Sequence, residues 1–342
     1  VEKLFDSVGM TAKLSGGGLI TRQLISRVGG IQGAQVFKIP GVRRLLKTYG
    51  PNAAFARNTA LQLIGKKDAQ NPAARFSDHE DLYIEARPIG TKLTPAMVFE
   101  YLVEKGLFRI GVELTCPTCR LSSWIALDTL RQVNVCELCG ASFDGTRQLV
   151  NSEYHYRRSG VLGLEKNAQG AVPVALVLQQ LATNLQGLRH DPVYASSYDL
   201  IPKAGVILPA CEVDFLMVIP DRLAQKPQVL LGECKDEGGR IDAEDVEHLR
   251  QVADALPWRQ FDTYIVVAKL APFTPEEIAL VRTLNGPYQN RVILLTAREL
   301  EPYHIYERTE AGLGIQSYGD TPEELASVTA RIYFTDPENG GT

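Results

Sequence analysis

The sequence of 342 residues lacks any apolar run that approaches the ~18 residues of a membrane-spanning helix. It also lacks a segment that resembles a secretory signal peptide. The first absence excludes a transmembrane helix, and the second disfavours disulfides. We therefore expect a cytoplasmic protein with no membrane partner. Its apolar content of 45% can fill real cores, and its length allows two or three domains.

A phosphate-binding loop is absent as well. The run Gly16-Gly17-Gly18 is not followed by Gly-Lys-Ser/Thr, so we interpret it as a flexible bend and not as a nucleotide cradle. The chain opens with Val1 and not with Met, which leaves room for a preceding domain or a protein partner.

Charge is unevenly distributed along the chain, although the net charge is only −4. Residues 1–90 carry 13 Lys and Arg against 7 Asp and Glu, a net charge of +6, and the remainder carries −10. We expect a basic, mainly helical N-terminal region over 1–92. Arg43, Arg44 and Lys47 share about one helical turn there, where they either contact a phosphate backbone or form a solvated helix face.

Four cysteines form two Cys-x-x-Cys pairs separated by 16 residues, at Cys116, Cys119, Cys136 and Cys139. This spacing predicts a tetrahedral Zn²⁺ site and resembles a zinc ribbon over 93–150. Trp124 and Leu127, between the two pairs, are the expected small core. Because four protein ligands leave no open position on the metal, the predicted role of zinc is structural.

Acidic and basic side chains interrupt two apolar strands within residues 206–256. Side chains alternate faces along a strand, so Glu212 and Asp214 share a face of CEVDFLMVIP, and Glu233 and Lys235 share a face of VLLGECK. Carboxylates in such strands need a partner or a metal. The plain alternative is a surface salt bridge between Glu233 and Lys235.

These residues resemble the motif of the PD-(D/E)XK nuclease superfamily, in which an acidic residue on one strand is combined with Glu-x-Lys on the next. The predicted elements follow the order of that fold: helix 173–188, strand 193–200, strand 211–219, strand 228–235, helix 242–256 and strand 262–268. The resemblance therefore implies an α/β restriction-endonuclease-like domain over 151–300, with a mixed sheet flanked by helices. A C-terminal extension over 301–342 follows.

The resemblance also implies a chemistry. Asp214 and Glu233 would hold Mg²⁺ or Mn²⁺, and Lys235 would orient or deprotonate the water that attacks the phosphate. Further candidates for the same site are Glu165, Glu212 and Gln251. Helix 173–188 contains no acidic residue, although many relatives place one in the corresponding helix.

The implied function is a Mg²⁺-dependent endonuclease acting on nucleic acid, with DNA the expected substrate, in restriction, repair or antiviral defence. The alternative is a non-catalytic nucleic-acid-binding or assembly protein that uses a nuclease-like fold and a zinc ribbon. Residues 151–172 are interpreted as a linker. Within them, Tyr154 to Arg158 form an aromatic and basic cluster that is able to stack on bases.

Overall fold

The computed structural model describes residues 1–66, 75–163, 168–185, 192–220, 226–286, 289–300 and 310–334. The helices of these residues are α1 Glu2–Asp6, α2 Gly16–Arg27, α3 Pro40–Thr48, α4 Arg57–Gly65, α5 Pro95–Glu104, α6 Thr146–Leu149, α7 Ala168–Asn184, α8 Ala243–Ala255, α9 Pro275–Arg282 and α10 Pro322–Tyr333. The strands are β1 Met10–Leu14, β2 Phe55–Ala56, β3 Phe108–Thr115, β4 Ser122–Ala126, β5 Val133–Val135, β6 Ser142–Asp144, β7 Tyr154–Arg158, β8 Val193–Pro202, β9 Cys211–Ile219, β10 Gln228–Lys235, β11 Asp262–Lys269 and β12 Val292–Thr296. None of the described helices has the length and hydropathy of a membrane span.

Contacts divide the chain into two compact units. The first combines Val1–Ser26, Gly30–Lys38 and Asn167–Thr342, and the second combines Arg27–Gly29 with Ile39–Lys166. This division differs from the sequence-based boundaries, because the first 38 residues belong largely with the C-terminal part of the chain.

The first unit is built on a mixed sheet with the strand order β1-β8-β9-β10-β11-β12. Neighbours from β1 to β10 are antiparallel, and β10, β11 and β12 are parallel to one another. Helix α8 joins β10 to β11, as a parallel crossover requires. The mixed sheet flanked by helices confirms the predicted α/β class, and β9 and β10 have the predicted bounds.

Both faces of this sheet are covered at its central strands. Val229 and Leu231 of β10 are buried in one cluster with Val246, Leu249 and Val252 of α8. Leu230, on the other face, is also fully buried, and α7 contacts β9, β10 and β11. Parallel strands covered on both faces are nearly continuous apolar runs, which explains why these strands were recognisable in the sequence.

We had expected the run of three glycines to form a flexible bend, but it is helical. Gly16, Gly17 and Gly18 form the first turn of α2, and Ser15 precedes them as a cap whose Oγ accepts a hydrogen bond from the Gly18 N–H at 2.9 Å. A side chain at position 18 would collide with the carbonyl group of Ser197. Glycine is therefore required there for the close approach of the helix to β8.

The second unit contains a four-stranded antiparallel sheet of order β2-β7-β3-β4 and the separate hairpin β5-β6. Strand β7 is Tyr154–Arg158, so the aromatic and basic cluster lies in a sheet and not in a linker. Tyr156 packs against Phe55 and Phe99, whereas the residues that alternate with it lie on the opposite face. The sequence did not predict this strand, because Tyr156 is its single buried residue and the residues around it are mostly polar.

Candidate functional site

The four cysteines come together in the second unit. The Sγ atoms of Cys116 and Cys139 lie 3.7 Å apart, as do those of Cys119 and Cys136, and all four lie within 4.8 Å of one another. Four sulfurs that each lie about 2.3 Å from a tetrahedral zinc ion are separated by about 3.8 Å. None of the six cysteines forms a disulfide. The residues therefore fit a structural metal such as zinc.

Both Cys-x-x-Cys turns use one hydrogen-bond pattern. The Cys116 N–H donates to the Leu121 carbonyl, and the Arg120 N–H donates to the Cys116 carbonyl. In the second turn, the Cys136 N–H donates to Ala141 and the Gly140 N–H donates to Cys136. The residue after each second cysteine has a positive φ, 62° at Arg120 and 72° at Gly140. Local backbone geometry thus directs each pair of thiols.

The small core beside the cysteines differs from our expectation. It consists of Val112, Leu114 and Phe143 together with Cys116 and Cys136. The prediction for Leu127 was wrong, because this side chain is 40% exposed. Trp124 is half-buried on the outer face of the four-stranded sheet, because alternation along β4 turns it away from the core.

In the first unit, Asp214, Glu233 and Lys235 line one pocket of about 230 Å³. Backbone pairing of β9 with β10 ends at Phe215 and Gly232, immediately before the two carboxylates. Beyond that point the strands are no longer joined by backbone hydrogen bonds. The Asp214 Oδ2 atom instead accepts the Cys234 N–H at 2.7 Å, so a side chain takes the place of the next strand partner. The carboxylates lie where the sheet opens.

Lys235 lies between two carboxylates. Its Nζ is 2.6 Å from Glu233 Oε1 and 3.1 Å from Asp245 Oδ2. The ion pair with Glu233 considered from the sequence therefore forms, but it does not lie on the surface, because the side chains of Lys235 and Glu233 are only 24% and 13% exposed. Asp214 forms no ion pair with any of the described residues.

The electrostatics of the pocket follow from burial. Burial and the neighbouring charge of Glu233 raise the pKa of Asp214 well above its ordinary value. Burial also raises the pKa of Glu233, although Lys235 opposes this effect. Burial opposes the charge of Lys235, but its two carboxylate partners outweigh this effect and raise its pKa. Four carboxyl groups thus line the pocket beside a single lysine.

Side chains that the motif does not include complete the pocket. Asp245 and His248 line it from α8, and Asp245 is fixed by the capping box that it forms with Asp242. Glu212, also in the lining, accepts a hydrogen bond from the Ser15 Oγ at 2.6 Å. The capping pattern at Asp242 was a sequence signal from which Asp245 could have been identified. No sequence signal pointed to Ser15, because its contact with Glu212 joins residues 197 positions apart.

The remaining candidates do not meet in this pocket. Glu165 lies outside the described residues. Gln251 donates a hydrogen bond to Glu247 on its own helix and does not line the pocket. In the N-terminal basic group, the Arg44 guanidinium donates to the carbonyls of Leu63 and Lys66, an intramolecular role at the end of α4.

The two sites differ in how close their side-chain sulfur or oxygen atoms lie to one another. Among the described residues, the four cysteines form the single group of three or more metal-binding side chains whose ligand atoms all lie within 4.8 Å of one another. The carboxylates around Lys235 do not form such a group. In the acidic pocket, Glu212 and Asp245 are each held by a neighbour, Glu212 by Ser15 and Asp245 by Lys235.

Comparison with protein-family models and with curated proteins found no match. Among solved structures, protein VC1899 from Vibrio cholerae is similar at 12% sequence identity and a TM-score of 0.34. The comparison covers 94% of this chain and 62% of that protein, so the chain spans less than two thirds of its length. A similarity at this level supports no inference about fold or activity.

Proposed function

We propose that this chain is a metal-dependent nuclease of the PD-(D/E)XK type that hydrolyses phosphodiester bonds in DNA. The observation that carries the proposal is the pocket in which Asp214 and Glu233 lie beside Lys235, where β9 and β10 separate. The element order α7, β8, β9, β10, α8, β11 is that of a restriction-endonuclease-like core. The four-cysteine module then serves as a scaffold or as a second binding surface.

The cost of burying these charges supports a functional role. An ion pair with Lys235 accounts for Glu233 but not for Asp214, a half-buried carboxylate without an ion-pair partner among the described residues. Such a group destabilises a fold unless a cation or a proton neutralises it. Carboxylates with raised pKa values in a pocket are typical of functional sites. A divalent cation that prefers oxygen ligands fits this pair.

Each residue then has a distinct role. Asp214 and Glu233 would hold Mg²⁺ or Mn²⁺, which when bound activates water and screens the scissile phosphate. The hydrogen bond from the Cys234 N–H orients the Asp214 carboxylate. Lys235 remains charged beside Glu233 and Asp245, so it acts as a cation that attracts the phosphate and orients the water. Asp245 holds the lysine in place.

The test compares Asp214→Asn and Glu233→Gln with wild type on linear, supercoiled and single-stranded DNA and on RNA. Both variants should lose cleavage by about 10³-fold or more while retaining zinc, because a metal ligand supplies several kcal/mol of transition-state stabilisation. Asp262→Asn is the matched control, because Asp262 opens β11 opposite Gln228, at the other end of β10 from Glu233.

Metal binding provides a readout that does not depend on turnover. Wild type should bind Mn²⁺, measured by paramagnetic resonance of the free ion, and Asp214→Asn should bind it more weakly. If wild type cuts none of the substrates with either metal, or if Asp214→Asn cuts as fast as wild type, the nuclease proposal fails. The non-catalytic nucleic-acid-binding protein then takes its place.

A further inference from the structure

The second unit has a groove of about 430 Å³ between β4 and β5. Strand β4 pairs with β3 and β5 pairs with β6, and no other described strand pairs with either. The lining includes Trp124 and three arginines, Arg109, Arg131 and Arg157, with Glu137 as its one acidic side chain. The volume lies near the low end of the ~300–1,000 Å³ of small-molecule sites, so the groove is large enough for about one nucleotide unit.

Trp124 lies across the outer face of the sheet. Its Nε1 donates to the His155 carbonyl of β7 at 3.2 Å, although Trp124 itself belongs to β4. The indole reaches across β3 because Gly111 has no side chain, and a Cβ at that position would collide with the ring. The sequence thus provides a broad aromatic surface on an exposed sheet, which is how single-stranded nucleic-acid-binding proteins present stacking residues.

Arg157 lies over this ring, with its guanidinium carbon 5.0 Å from the ring centroid. Its Nε is buried without a hydrogen-bond acceptor, and the guanidinium forms no ion pair with any of the described residues. The Arg131 side chain likewise has no partner among them. Arg109, by contrast, forms two hydrogen bonds with Asp128. Two of the three cations in the groove are therefore available to an anion.

We propose that this groove binds single-stranded DNA. A base stacks on the surface formed by Trp124 and Arg157, and the flanking phosphates contact Arg157 and Arg131. The choice of DNA rests on the proposed function, whereas stacking and anion recognition rest on the groove itself. Single-stranded nucleic acid fits better than a duplex, because in a duplex the base faces are covered by their neighbours and cannot stack on the indole.

The experiment uses Trp258→Phe, in which Trp124 is the one remaining tryptophan of the two in the chain. The Asp214→Asn substitution is added, and divalent cations are omitted, so that DNA is not cut. A short oligodeoxythymidylate should quench the Trp124 fluorescence and bind at least about tenfold more tightly than the corresponding duplex. Oligoribonucleotides of equal length measure any preference for RNA.

Arginine substitutions then separate binding from folding. Arg157→Ala and Arg131→Ala should each weaken binding by about tenfold and reduce the slope of log affinity against log salt by about 0.7, the value for one phosphate contact on a single strand. Arg131 is exposed, so its replacement does not threaten the fold. Arg147→Ala, an exposed arginine outside the groove, is the matched control and should change neither quantity.

The outcomes distinguish this proposal from the nuclease proposal. If wild type cleaves no substrate but its binding depends on Arg157 and Arg131, the groove is established and the nuclease proposal is overturned. If wild type cleaves DNA, and both arginine variants keep the affinity and the salt slope of wild type, the groove proposal is overturned. Tighter binding of an acidic peptide such as polyglutamate than of oligodeoxythymidylate also overturns it, in favour of a protein partner.

Discussion

The four-cysteine module, Cys116 to Cys139, and the acidic pocket each collect side chains of one chemical type, but they do so by different means. The cysteines lie within residues 116–139, and two short turns with matching hydrogen bonds aim them at one point. The acidic pocket draws on β9, β10 and α8, with a contact from Ser15. A site set by local turns can be found from sequence spacing, whereas a site set by strand register depends on the whole fold.

The two sites also differ in how they manage their charge. No described cation pairs with the four sulfurs, and a bound metal ion such as zinc would neutralise them as thiolates. In the acidic pocket, Lys235 already neutralises part of the charge, and the hydrophobic cluster around Val229 and Leu231 holds the strands together. Metal removal should therefore unfold the module but leave the sheet intact.

The largest effect is expected from Cys136→Ser. Structural zinc sites contribute about 10–16 kcal/mol of apparent binding free energy, and much of this is lost with one ligand. The variant should release zinc and expose 108–149 to proteolysis, while the sheet of the first unit stays protected from hydrogen exchange. Elemental analysis measures the zinc content, and hydrogen-exchange mass spectrometry measures the protection of the sheet. Cys211→Ser, a half-buried cysteine on β9, is the control, and zinc retained in Cys136→Ser would contradict the assignment.

A smaller effect is expected from Asp214→Asn in the absence of divalent metal. Burial and Glu233 raise the folded-state pKa of Asp214 above its ordinary value of 3.8, so the folded state binds the proton more tightly than the unfolded state. The contribution of Asp214 to stability is complete below pH 3.8 and is lost as the pH rises through the raised pKa. Asn does not titrate, and its amide oxygen still accepts the Cys234 N–H, a bond that Ala would remove.

Wild type should therefore become less stable relative to Asp214→Asn as the pH rises above about 4, and thermal unfolding from pH 4 to pH 9 measures this difference. Addition of Mg²⁺ should raise the melting temperature of wild type more than that of the variant. A constant difference between the two proteins at every pH would show that Asp214 carries no unfavourable charge. Asp262→Asn, whose carboxylate pairs with Lys226 near the surface, is the reference variant.

The contrast between the sites also explains what the sequence could predict. Strands β9 and β10 were predicted with their bounds because buried strands are continuous apolar runs ended by polar residues. Strand β1 was missed, because its pairing with β8 joins Leu14 to Tyr198 and nothing local encodes that partner. Ser15 was missed for the same reason. Asp214, Glu233 and Lys235 were brought together as expected, since alternation along two adjacent strands places them on one face.

Ser15→Ala tests how the distant segment supports the acidic pocket. The substitution removes the cap of α2 and the hydrogen bond to Glu212, so we expect a loss of about 1 kcal/mol in the free energy of unfolding. If Glu212 contributes to the metal site, Mn²⁺ affinity should fall as well. Thr321→Ala removes a comparable cap from α10 and should lower stability without changing Mn²⁺ affinity. Equal Mn²⁺ affinities in the two variants would separate Ser15 from the site.

The smallest effect compares the two cysteine turns with each other. Arg120 and Gly140 occupy equivalent positions with nearly equal positive φ, yet an L side chain in this conformation costs roughly 1–2 kcal/mol and glycine costs nothing. A Cβ at Gly140 would contact no atom within 4 Å, so Gly140→Ala should be destabilising through the backbone alone, by about 1 kcal/mol. Arg120→Gly should relieve strain in the first turn and stabilise the module by less than this, because glycine also increases the entropy of the unfolded chain. Chemical unfolding monitored by zinc release measures both changes. If the two substitutions shift stability in the same direction, the turns are not equivalent, and the matching hydrogen bonds do not set the positions of the thiols.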